Sequence, residues 1–118
     1  MPFFTTRGAG ASIDEDTLTI ASGATTSSSL DLRAKGLVGF LMPATFTGTT
    51  MTFTGSMDDS TFTALYNADN TAFSITVAVA RRYCLNPADF LGVRYVRFVS
   101  GSSEGGARTI EAVTRSLS

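Results

Sequence analysis

Thr50-Met51-Thr52-Phe53-Thr54 alternates polar and apolar residues with a period of two, and this stretch decides the fold class. In an extended strand successive side chains leave opposite faces, so Met51 and Phe53 share one face and the threonines the other. That is the pattern of a half-buried strand, whose apolar face requires a second layer to cover it. The run closes at Gly55-Ser56, and Asp58-Asp59-Ser60 follows, where short polar side chains can bond their own backbone and turn the chain.

Outward from this strand the pattern repeats. Short β-type runs separated by turn signals fall at 17–21, 28–32, 36–42, 50–56, 62–66, 73–79, 93–100 and 107–114, close to the roughly 8 to 12-residue spacing of a sandwich or barrel. Ile75, Val77 and Val79 share a face, and Arg94, Val96 and Phe98 oppose Val93, Tyr95 and Arg97. Residues 37–42 are apolar on both faces, as in a central or covered strand. Asn86-Pro87-Ala88-Asp89-Phe90-Leu91 reads as one helical turn with Asn86 as its cap and Pro87 at its first position. Residues 101–106 read as a flexible hairpin loop, and helix-period stretches of useful length are missing. The expected fold is an all-β, antiparallel β-sandwich, jelly-roll-like, with about eight strands over residues 17–118. Residues 1–16, Gly and Ala rich in part and without periodicity, are expected to form an extended N-terminal arm.

The chain of 118 residues is long enough for one core. Its hydrophobic fraction of 43% speaks against both a disordered tail and a membrane protein. Charged residues make up 16%, below the roughly 25% usual in soluble domains, and Ser, Thr and Gly supply much of the polarity. A surface poor in long charged side chains is easier to bury against a partner, which leans toward assembly. A net charge of -1 and a single, isolated lysine, Lys35, speak against nucleic acid as a partner. No apolar run approaches the length of a membrane-spanning helix, and Met1 to Thr6 lacks the basic start and long apolar core of a signal peptide. Cys84 has no partner in the chain, so a reducing compartment of synthesis is expected.

Catalytic constellations are not evident. Without histidine the chain lacks the usual base near neutral pH, and with it serine-His-acid triads, Cys-His dyads and histidine metal ligands. Cys84, in apolar surroundings before the Asn86-Pro87 turn, reads as a small buried hydrophobe. Asp14, Glu15, Asp16, Asp58, Asp59 and Asp69 are the candidates for a carboxylate pair or a cation site, and their placement in turns and in the approach to the first strand favours solvated turn residues. No phosphate-binding glycine motif is present, because the glycine-rich 101–106 lacks a following Lys and Ser or Thr. No enzyme activity, cofactor or metal is therefore expected.

A longer reading of residues 51–67, MTFTGSMDDSTFTALYN, resembles the "LTFQGS-DG-TF-LYD" wording of small β-sandwich proteins encoded among tailed-phage structural genes. Residues 82–101, RYCLNPADFLGVRYVRFVSG, look like that family's "Y-L-P-F-G-RYVRIRSG" stretch, and Ala107 through Arg115 resembles its closing strand. The likeness covers roughly 28–115. It departs at the turn, where the family's Asp-Gly is Asp58-Asp59. The resemblance implies a virion structural protein, assembled in the host cytoplasm, with the major capsid protein or other virion proteins as partners. Capsid cement or decoration is the expected role, and a head-tail connector or tail component is the neighbouring one.

Two functional readings follow. In the first, the sandwich binds a capsid lattice through many weak contacts. Phe3 and Phe4 are candidate anchors of the arm, with packing on the chain's own sheet the alternative, and Arg7, Arg81 and Arg82 are candidate assembly contacts because a guanidinium makes two directed hydrogen bonds. With one lysine to protect sheet edges, self-association is also expected, a trimer favoured. In the second, loops at one end bind glycan or a host surface through a cluster of Tyr66, Tyr83 and Tyr95.

Overall fold

The computed structural model describes residues 12–116. Its strands are β1 (Ile13–Ile20), β2 (Leu30–Asp31), β3 (Lys35–Leu41), β4 (Thr50–Ser56), β5 (Thr63–Ala64), β6 (Ser74–Thr76), β7 (Arg82–Cys84), β8 (Tyr95–Ser100) and β9 (Arg108–Ser116). One sheet has the order β1-β9-β3-β7 and the other β2-β8-β4-β5, with β6 also on β4. Every pairing is antiparallel.

β5 lies opposite Thr54 and Gly55 and β6 opposite Thr50 to Thr52, so together they fill one strand position along β4. Counted that way, the first strand pairs with the last, the second with β8, the third with β7 and the fourth with its neighbour. This is a long hairpin rolled into two sheets, the jelly-roll arrangement. The β5–β6 interruption is a small protruding hairpin closed by a Tyr66–Ala72 bridge and the Phe73 N–H to Leu65 carbonyl bond.

The alternation read from β4 places its residues as expected: Met51 and Phe53 are buried. Phe98 on β8 stands opposite Phe53 in the ladder, and their rings meet edge to face at 4.9 Å. Phe40, from the other sheet, meets Phe98 edge-on at 5.2 Å, so Phe98 joins the two layers. Phe73 and Phe90 extend the cluster from Phe53. Such pairs add to the apolar area they bury. Phe90 arrives on the 3-10 turn Pro87–Phe90, where the Asn86 side chain accepts the Ala88 N–H as an N-cap.

Three local expectations change. β1 begins at Ile13, so residues 13–16 belong to the sandwich and not to the arm; Asp14-Glu15-Asp16 hides the strand because ladder pairing with β9, not apolar alternation, forms it. β7 is a further strand of three residues, too short to show a period, and Tyr83 alone points inward from it to stack on Phe40. β6 ends at Thr76, which leaves Val79 41% exposed, and the chain reverses at Ala80 with φ 57. Where β3 slips register against β9, a Cβ at Gly39 would stand 2.6 Å from the Tyr83 carbonyl oxygen, so glycine there permits β7 to approach.

Because Phe98 touches aromatic rings from both layers, Phe98→Ala should cost about 3 to 5 kcal/mol. Chemical denaturation followed by circular dichroism measures this; a loss below about 1 kcal/mol would contradict the assigned packing.

Candidate assembly surface

Alternation fixes what the four-stranded sheet shows to the outside. Leu18, Ile20, Phe40, Ile110 and Ala112 are buried and Tyr83 packs against them. Ile13, Glu15 and Thr17 on β1, Val113 and Arg115 on β9, and Arg82 and Cys84 on β7 therefore face outward. Between them lies Gly39, with no side chain of its own. The result is a shallow depression of about 260 Å³ bordered by Ile13, Val38, Arg82, Cys84, Val113 and Arg115. Ile13 is 55% exposed at its rim. A neighbouring hollow runs between Glu15 and Arg82. The described residues form three ion pairs, Lys35 with Asp14, Arg94 with Asp31 and Arg108 with Glu104. Glu15, Arg82 and Arg115 take part in none of them.

Of the assembly candidates, Arg82 lies on this face and Arg81 precedes β7, exposed, with its carbonyl accepting the Met42 N–H. Phe3, Phe4 and Arg7 lie outside the described residues. The chain that carries them enters the sandwich at Ser12-Ile13, on the rim of the depression. Cys84 is exposed, against the expectation of burial, because its neighbour Tyr83 takes the inward position of β7. An apolar floor flanked by guanidinium groups without an ion-pair partner among the described residues suits a contact with a carboxylate-bearing surface.

The tyrosines do not form a cluster. Tyr66 is 60% exposed on the β5–β6 hairpin. Tyr83 is turned into the core and its hydroxyl oxygen accepts the Ala78 N–H at 2.8 Å. Tyr95 sits on β8 beneath the Arg94 guanidinium, 5.0 Å from the ring centre. At the end of the sandwich carrying the β2–β3 and β4–β5 turns, Met57 and Leu91 border a second shallow depression. Two of its three cations, Arg94 and Lys35, are already paired with Asp31 and Asp14.

The acidic turns are occupied by their own backbone. Asp58 accepts from the Thr61 and Ser60 N–H groups and the Ser56 hydroxyl, which holds its carboxyl below the usual range. Asp69 accepts both the hydroxyl and the N–H of Thr71, with the same effect. Among the described residues no three Asp, Glu or Cys side chains converge as metal ligands.

One residue went unnoticed in the sequence. Glu104, 1% exposed, sits in the β8–β9 connection that the glycines marked as flexible. Its carboxylate accepts the Thr47 N–H at 2.8 Å, the Gly48 N–H at 3.0 Å, the Ser100 hydroxyl at 2.7 Å and the Arg108 Nε–H at 2.9 Å. Burial pushes such a carboxyl up, but the donors from Thr47, Ser100, Arg108 and Gly48 outweigh it and hold Glu104 at about 2. A shifted carboxyl can mark a reactive site. Here both oxygens are taken by structural partners. The signal available in the sequence was a lone acid inside a glycine-rich loop, four residues before an arginine.

The fold is a jelly-roll module, and its four-stranded sheet carries an exposed apolar depression beside residues 12–13. No protein-family model matches the sequence, and no curated protein is similar to it by sequence. Among solved structures, the SPBc2 prophage-derived protein YomS has the same fold: TM-score 0.55, 17% identity, covering 89% of this chain and 96% of that one. The Drosophila NLP core gives a TM-score of 0.41 at 12% identity, over 85% of this chain and 97% of that one. A CBM32 module from a family 31 glycoside hydrolase of Clostridium perfringens gives 0.41 at 14% identity, over 91% and 78%. No helix among the described residues is long and apolar enough to cross a membrane.

The Glu104 carboxyl sits below its ordinary value of 4.5. Its bonds therefore stabilise the fold fully above that value, and the contribution, about 3 kcal/mol, is lost as pH falls toward 2. Glu104→Gln should be less stable than the parent at pH 7 by a similar amount, and the two stability curves should converge toward pH 2. Parallel curves from pH 7 to 2 in urea titrations would show that the carboxylate does not carry this bonding.

Proposed function

We infer that this chain is a structural protein of a tailed-phage virion, acting as a cement or decoration protein on the capsid lattice. The observation that carries the reading is the outward face of the β1-β9-β3-β7 sheet. It joins an apolar depression to Arg82 and Arg115, which have no ion-pair partner among the described residues, and it lies where the segment bearing Phe3, Phe4 and Arg7 enters the fold. Such a surface suits broad, repeated contact better than capture of a small molecule, and repetition over a lattice multiplies weak contacts through effective concentration. The resemblance over residues 28–115 points to the same class, and the jelly roll also occurs in a prophage-derived protein. On this reading the partner is the major capsid protein or another virion protein, the location is the assembled particle, and the chain performs no chemistry.

Purified protein added to capsids that lack it should bind saturably. A chain starting at Ile13 should bind about tenfold more weakly, since it loses two aromatic anchors. If neither form binds, the cement role is wrong, and the assignment moves to a connector or tail position.

A further inference from the structure

The alternation that sorts side chains between the two faces of a strand also sorts backbone groups between its two edges. Ser12 accepts the Ser116 N–H across to β9, so even-numbered residues of β1 bond inward to the sheet. Ile13, Glu15 and Thr17 turn their N–H and C=O groups to the open edge. Thr19 belongs to the same series and its carbonyl accepts the Ser28 N–H from outside the sheet, which fixes the direction independently and closes the edge at that point. On β7, the Arg81 carbonyl accepts from Met42 and the Leu85 N–H donates to Val38, both on the β3 side. Arg82 and Cys84 therefore present their backbone groups to the opposite edge. Among the described residues β1 pairs only with β9 within its sheet, and β7 only with β3.

We propose that the β7 edge of one copy pairs with the β1 edge of a second copy, antiparallel, with Arg82 opposite Glu15 and Cys84 opposite Ile13. Strand direction and side-chain parity both permit this pairing. Strand directions alternate through β1-β9-β3-β7, so β1 and β7 run oppositely and a copy set alongside continues the antiparallel sheet. At both edges the residues with free backbone groups also have outward side chains, so directly opposed residues share a face and the two outer faces become one. Mismatched parity would have forced one sheet upside down.

Charge selects this pairing over the alternatives. Glu15 and Arg82 have no ion-pair partner among the described residues, and the register sets them directly across from each other. Two β1 edges would bring Asp14, Glu15 and Asp16 together, and two β7 edges would oppose Arg81 and Arg82. Ile13 and Cys84, both exposed, cover one another in the next pair. The ladder stops where Ala80, with φ 57, leaves extended geometry. The contact is head to tail, so repeated copies form a ring or a filament, and a ring of three would suit the threefold positions that a capsid lattice offers. The proposal engages Ile13, Arg82 and Cys84 of the same outward face on which the cement reading rests, and its test needs no capsid.

Sedimentation of the full chain over a concentration series should show self-association. Glu15→Arg or Arg82→Glu alone should weaken it by about fivefold, and the double variant, which restores the pair with signs reversed, should recover it. Ile13→Cys under mild oxidant should give species linked between copies through Cys84. Within one copy the two positions are three strand spacings apart, roughly 14 Å, too far for a disulfide. Thr19→Cys, on the closed part of the same edge, should link far less. A monomer at every concentration, a double variant no better than the singles, or equal linking by the two cysteine variants would each overturn the proposal.

Discussion

The carboxylate of Glu104 is the constraint on which one end of the sandwich depends. Three connections meet there: the β1–β2 link through Gly23 and Ala24, whose backbone bonds the Glu104 carbonyl and N–H, the β3–β4 link through Thr47 and Gly48, and the β8–β9 link itself. Only an ionised carboxylate has acceptor sites enough for four donors at once. An amide in its place would turn a donor toward one of them and leave buried N–H groups without a partner, the expensive outcome. Arg108 supplies the countercharge from the first residue of β9, so the last strand is anchored as it begins. Gly48 belongs to the same arrangement. A Cβ there would stand 2.2 Å from the Ser100 oxygen that donates to the carboxylate.

That anchoring reaches both layers. β8 lies in one sheet and β9 in the other, so the connection holding Glu104 fixes where the chain crosses between them. Phe98 on β8 and Ile110 on β9 both enter the buried core, one from each side. Core packing and loop bonding thus stabilise the same crossing, one by apolar area and ring contacts, the other by satisfied polar groups. Neither substitutes for the other: an apolar core tolerates sliding of a connection more easily than a four-donor carboxylate does.

Much of this was legible in the sequence and some was not, for physical reasons. Thr50–Ser56 is a strand as read, because β4 is central, with a covered face and a period long enough to count. The Asn86 cap and Pro87 were equally clear, since both residue types act locally. β1 was read too short because an edge strand can carry acids wherever its sides are open to solvent. Cys84 was misplaced because a three-residue strand gives no period from which to tell its faces apart. The role of Glu104 is not legible because two of its four partners, Thr47 and Gly48, lie 57 and 56 residues away, and no local pattern records a bond of that separation. For the surface, Arg82 was singled out by residue type alone. What placed it beside Ile13 was the order of strands, which alternation does not encode.

The chain's low charge acquires a different meaning once strand order is known. Edges that are merely short need little defence: β2 and β5 have two residues each and β6 has three. β1, with eight residues, is the long edge among those described, and three of the chain's acids fall together within it. Asp14 and Asp16 share the parity of the buried Leu18 and Ile20, with Asp16 half-buried and Asp14 exposed and paired with Lys35, and acids on that side are one way natural sheets discourage indiscriminate pairing. Glu15 points outward, where a single countercharge can meet it without entering the core. An edge guarded in this way is not closed. It is selective, and the selection rests on where few charges are placed, not on how many the surface carries.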